Sequence, residues 1–123
     1  MNNCSYNFNC EGKANIMKIP QEEIIDEMED LLNIASDSTR IKILWCLLGE
    51  DESENVEKTV SEIVSDVEAS QSLISHQLKV LKDARLVKPR KEGKNVFYSL
   101  NDKHIRLLLN VVYEHVTEED SEE

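Results

Sequence analysis

Asp102, His104, His115 and Glu118 are the residues of this chain whose types and spacing could hold a metal ion. They stand at the two ends of one stretch, DKHIRLLLNVVYEHVTE, whose middle is apolar at Ile105, Leu107, Leu108, Leu109, Val111, Val112 and Val116. That periodicity predicts a helix over 102–118. His104 and His115 are eleven residues apart, close to three turns, so they share nearly one face. At ~1.5 Å per residue they lie roughly 16 Å apart along the axis. A single copy cannot close both on one ion. Two copies packed antiparallel can, because both pairs are centred on the same point near Leu109 and Asn110. A two-fold axis there brings Asp102 and His104 of one chain beside His115 and Glu118 of the other, giving two equivalent shared sites. Two imidazoles and two carboxylates suit tetrahedral zinc, or a similar divalent ion such as cobalt or cadmium. Any one of these groups alone would serve equally well as a helix cap or a solvated end. Glu119 is the nearest competitor to Glu118.

Such sites need a scaffold that dimerises. With 123 residues the chain makes one small domain, and with 5% aromatic residues its core is thin and aliphatic. A dimer interface would complete that core. No apolar run reaches the ~20 residues that span a membrane. The start, MNNCSYNFNCEGK, has no apolar signal core, so a cytoplasmic location is expected. Three cysteines, Cys4, Cys10 and Cys46, make no disulfide framework, as in a reducing compartment.

The net charge is −11, which by itself argues against nucleic acid. The distribution argues the other way. Lys79, Lys82, Arg85, Lys88, Arg90, Lys91 and Lys94 are half of the 14 basic side chains, gathered in one short window. DNA would meet that local face.

Along the chain, residues 1–18 read as a flexible tail and 119–123 as an acidic one, flanking a domain over 19–118. Pro20 starts a helix in which Ile24, Met28, Leu31 and Ala35 recur on one face. Asp37 or Ser38 caps a second helix over 39–48, apolar almost all round and ended by Gly49, with Cys46 as a buried small hydrophobe. A third, over 59–67, turns Val60, Ile63, Val64 and Val67 inward. After a break at Glu68-Ala69-Ser70, Ser70 caps a fourth over 71–84 that buries Leu73, Ile74, Leu78 and Leu81. Its outer face carries Ser70, Gln71, Ser72, Ser75, His76 and Lys79, small donors and acceptors of the kind a major groove accepts. Beyond Leu86 the period changes to two. Two strands, 86–90 and 95–100, enclose a turn at Lys91-Glu92-Gly93-Lys94, and Pro89 marks an exposed edge. Arg90, Lys91 and Lys94 at the tip are placed for phosphates. Helix-turn-helix followed by a basic hairpin defines the expected fold class: mainly α (α+β), a winged helix-turn-helix, homodimeric through its N- and C-terminal helices.

STRIKILWCLL, SQSLISHQLKVLKDARLV, RKEGKNVFYSL and DKHIRLLL, in that order, resemble the ArsR/SmtB family of metal-sensing repressors, over roughly residues 22–118. The likeness is strongest to the zinc and cobalt sensors whose site lies on the last helix. It implies metal ligation at Asp102, His104, His115 and Glu118. It also implies a link from His115 to the backbone carbonyl of Arg85, at the end of the recognition helix. Cys4 and Cys10 resemble half of a second, thiolate-rich site found in cadmium and lead sensors. The other half is absent, because Thr59 and Ser61 stand where cysteines would be, and Glu62 is the one further candidate ligand.

The expected function is a repressor that binds an inverted-repeat operator as a dimer and is released by zinc. The alternative is a winged-helix dimer without a working metal site that senses oxidation through Cys4 and Cys10; a protein–protein adaptor is a third reading. No enzyme signature occurs, since Gly12, Gly49 and Gly93 are isolated and no nucleophile has a His and acid beside it.

Overall fold

The computed structural model describes residues 18–49 and 56–118. Cys4, Cys10, Glu119 and most of the two expected tails lie outside them. The order is α1 (Glu22–Ala35), α2 (Ser38–Cys46), α3 (Val60–Val67), α4 (Gln71–Asp83), β1 (Val87–Glu92), β2 (Asn95–Leu100) and α5 (Lys103–Thr117). The chain divides into two compact units within α1, between Leu31 and Leu32.

The first unit carries the amino-terminal turns of α1. Pro20 lies ahead of that helix rather than at its first position: Ile25 donates to the carbonyl of Gln21, so the repeat begins one residue after the proline. Ile24 and Met28, one turn apart, are exposed.

The second unit holds the core. Ile43 and Leu44 from α2, Leu47 at its C-cap, Ile63 from α3, Ile74, Leu78 and Leu81 from α4, and Leu86 and Val87 at the hairpin's root are fully buried. Local chemistry sets the element ends. The Asp37 carboxylate accepts from the Arg40 N–H and starts α2. Thr59 and Glu62 form a reciprocal capping box on α3: Glu62 N–H donates to Thr59 Oγ1, and Thr59 N–H donates to Glu62 Oε1. Ser70 accepts from Leu73 N–H and starts α4. Between α3 and α4, Glu68 is left-handed at φ 62°, closing α3 and turning the chain into α4.

Four expectations about α2 and α4 are corrected. Helix α2 ends at Cys46, not Leu48, with Leu47 as its C-cap. It is not apolar on every side: Ile41 and Trp45 are half-exposed, because the buried stripe runs through Ile43, Leu44, Leu47 and Leu48. In α4, Leu73 is exposed, and its expected place on the inner stripe is taken by Gln77 beside Ile74, Leu78 and Leu81. Cys46, expected to be buried, is partly so.

The hairpin pairs Val87 with Leu100 through Glu92 with Asn95 in antiparallel register. The first strand therefore reaches two residues further than its sequence suggested. The loop contracts to Gly93-Lys94, with Gly93 at φ 62°, the position where two-residue hairpins of type II′ carry glycine. A Cβ there would meet nothing within 4 Å, so the requirement for glycine is purely one of backbone. Residue 58 adds a short third rung. Lys58 N–H donates to the Tyr98 carbonyl at 3.0 Å and Tyr98 N–H to the Lys58 carbonyl at 2.8 Å. Tyr98 thus spends its backbone groups on Lys58, leaving Pro89, its partner in β1, at a position where no ladder N–H is needed.

Candidate metal site and nucleic-acid face

Helix α5 carries the four candidate ligands, and its ends explain how each is held. Asp102 is the N-cap: its Oδ1 accepts from the backbone N–H of His104 at 3.0 Å and of Ile105 at 3.3 Å. That fixes the carboxylate at the first turn and leaves Oδ2 outside the cap, where it accepts from the Asn101 side-chain amide at 3.5 Å. His104 Nδ1 lies 3.6 Å from Asp102 Oδ1, and the imidazole is exposed. At the other end His115 and Glu118 line one open pocket with Val111, Glu114 and Thr117. Glu118 is the C-cap in extended backbone. The structure thus places Asp102 beside His104 and His115 beside Glu118, at opposite ends of the helix. No group of three His, Cys, Asp or Glu side chains converges among the described residues of one chain. Between the two pairs Leu107, Leu108, Val111 and Val112 are exposed, as is Val116 between His115 and Glu118. Only Ile105 of this helix is buried. Tyr113 stacks on Trp45 of α2 with ring centroids 4.9 Å apart.

Glu62 spends one carboxylate oxygen on the capping box of α3, so its first task is to start that helix.

On α4 the side chains expected to face a groove lie at the surface. Ser70, Gln71, Ser72, Ser75, His76 and Lys79 are all exposed. Lys79 makes a long 3.3 Å ion pair to Asp83 one turn on. The helix ends in a Schellman turn. Arg85 is left-handed at φ 65° and donates its N–H to Lys82, while Leu86 N–H reaches back to the Leu81 carbonyl. This turn sets the direction of the Arg85 carbonyl.

At the hairpin, Lys91 and Lys94 are exposed, and no ion pair holds either among the described residues. Arg90 departs from expectation. Its Nε and Nη2 donate to the two oxygens of Glu57, each at 2.8 Å, and its Nη1 to Glu92 at 2.9 Å. The guanidinium also lies 5.0 Å from the centre of the Phe97 ring. The hydrogen bonds from Arg90 hold the Glu57 carboxyl below the usual carboxylate range, and Glu57 and Glu92 together push the Arg90 guanidinium up.

Sequence reasoning missed a second polar contact. Arg40 of α2 donates through Nε to the buried Gln77 Oε1 and through Nη1 to the Ile34 carbonyl at 3.1 Å. A glutamine on the apolar stripe of α4 was the available signal, since a buried amide calls for a partner. Cys46 donates to the Ile43 carbonyl at 3.1 Å, and burial pushes its thiol up to about 11, against a smaller lowering by Lys58. In a chain with Cys4→Ser and Cys10→Ser we expect alkylation of Cys46 at pH 8 to be slower than that of a free cysteine by about tenfold or more. Labelling as fast as glutathione would show that the thiol is not held in this state.

These elements define a winged helix-turn-helix, the class of DNA-reading module in which one helix enters the groove beside a hairpin wing. The family described as bacterial regulatory protein, arsR family, matches residues 37–88. The chain is 31% identical over 105 residues to a transcriptional repressor SmtB homolog from Synechocystis, covering 85% of this chain and 73% of that protein. It is 32% identical to a cadmium resistance transcriptional regulatory protein CadC homolog from Staphylococcus aureus, covering 94% and 92%. Among solved structures it is similar to HlyU from Vibrio cholerae, at 29% identity and a TM-score of 0.66, covering 79% of this chain and 98% of that one. The chain belongs to the ArsR family of transcriptional regulators. No helix among the described residues is long and apolar enough to cross a membrane.

Proposed function

We propose that this protein is a homodimeric repressor that binds an inverted-repeat operator and is released by zinc or a similar divalent ion at sites shared between subunits. The observation that carries this reading is the layout of α5. Two ligand pairs sit at opposite ends of one helix, and the apolar face between them is exposed. The donor set fits the ion: the exposed Asp102 carboxylate caps through Oδ1 alone and holds only a long contact at Oδ2, His104 is exposed beside it, and His115 with Glu118 border open space. The name of the CadC relative, a cadmium resistance regulator, supports metal as the signal.

The exposed groups of α4 would read the major groove of each half-site, and Lys91 and Lys94 would meet phosphate. Bound zinc would fix the imidazoles and supply local positive charge. His115 then offers its second ring N–H as a firmly oriented donor. The Arg85 carbonyl, aimed by the Schellman turn, is the acceptor that would tie α5 to the end of the recognition helix. Release is therefore allosteric, a preference of the loaded dimer for a geometry that fits DNA poorly.

The experiment is a titration of operator binding with zinc, cadmium and oxidant in turn. Zinc should weaken binding by roughly 5–150-fold, the span of ordinary allosteric coupling of ~1–3 kcal/mol. Release by oxidant alone, lost in Cys4→Ser, would replace the metal reading with redox sensing. Release by cadmium but not zinc would move the site to the N-terminal cysteines.

A further inference from the structure

The wing's basic cluster is not chemically uniform. Lys91 and Lys94 reach solvent, whereas Arg90 has three of its five N–H donors bonded to carboxylates and its plane near Phe97, its cross-strand partner. Two carboxylates surround this one guanidinium, so a phosphate approaching it would meet negative charge and would have to displace a bidentate pair. A lone exposed ion pair is worth little, but a bidentate arginine in a network is the exception.

The partner's position gives the contact its meaning. Glu57 directly precedes Lys58, which pairs by backbone with Tyr98 of β2 and by side chain with Asp66 of α3. Thr59, next in line, caps α3. Residues 57–59 therefore join the hairpin to the first helix of the helix-turn-helix. Arg90 reaches across 33 positions to close that joint from the β1 side.

We propose that Arg90 is a positioning residue: through Glu57 it clamps the wing to the base of α3 and so sets where Lys91 and Lys94 stand relative to the recognition helix. The proposal rests on the DNA-binding reading above.

The test measures binding of the full-length protein to a DNA duplex as a function of salt. Each phosphate neutralised contributes a slope of about −0.9 in log K against log salt. Lys94→Ala should flatten the slope by about one contact. Arg90→Lys keeps the charge and loses the fork. It should weaken binding several-fold with the slope unchanged, and Glu57→Gln should do the same. In both, amide exchange at residues 91–96 should quicken. Arg90→Lys that binds like the original, with Glu57→Gln that binds tighter, would overturn the proposal and make Glu57 a competitor of phosphate for Arg90. A flattened slope in Arg90→Ala with exchange at 91–96 unaltered would also overturn it. Absence of any salt-dependent binding by the unsubstituted protein would instead sink the DNA-binding reading.

Discussion

Mixing His104→Ala with His115→Ala subunits should restore one full-affinity zinc site per dimer, where each variant alone has none. The expectation follows from the layout of α5. Asp102 and His104 are held at one end by the N-cap, and His115 with Glu118 at the other. If the sites are shared, both lost imidazoles fall in the same site of the mixed dimer and the second site keeps all four ligands. Loss of a group that only orients a ligand weakens metal binding by ~10–100-fold, so loss of an imidazole ligand should cost at least that much. Isothermal titration of the two homodimers and of the mixture reads the result, in a Cys4→Ser, Cys10→Ser background that removes competing thiolates. A mixture with no more tight sites than its parents would exclude sharing. Unchanged binding in both homodimers would remove the ligand assignment altogether.

Placing charge on the middle of α5 should separate the subunits and, with them, both activities. Leu108 and Val112 lie one turn apart, both exposed, within the apolar face that spans the helix. A contiguous apolar patch of this kind marks an interaction surface. The double variant Leu108→Asp, Val112→Asp would bury two unpaired carboxylates in a dimer, at a cost that favours the monomer. Sedimentation should give 14.2 kDa in place of twice that mass. Operator affinity should fall by ~10²–10⁴, because the second half-site contact is no longer intramolecular. Helicity should be retained, since neither side chain belongs to the core of the single chain. A variant that stays dimeric would show that α5 is not the interface.

The sequence by itself determined the elements and their order. Ser70 was legible as a cap and Asp37 as one of two candidates, because capping is a bond to a backbone group two or three residues away; Thr59 and Asp102, read as the first residues of their helices, are their caps. The change of period after Leu86 announced the hairpin, and the exposed face of α4 was legible because its polar groups fall outside the stripe of Ile74, Leu78 and Leu81. The spacing of the α5 ligands is likewise a property of one helix. Only the tertiary structure decided what depends on distant partners. Gln77 sits buried on α4 because Arg40, 37 residues earlier, supplies its amide with a donor. Trp45 faces outward from α2 yet finds Tyr113 on α5. Arg90 looked like one more cation in a basic run, and nothing local to β1 names Glu57 as its partner. A chain that bends back across the hairpin brings the two together, and an arginine's charge is free for phosphate only if no carboxylate has been folded against it.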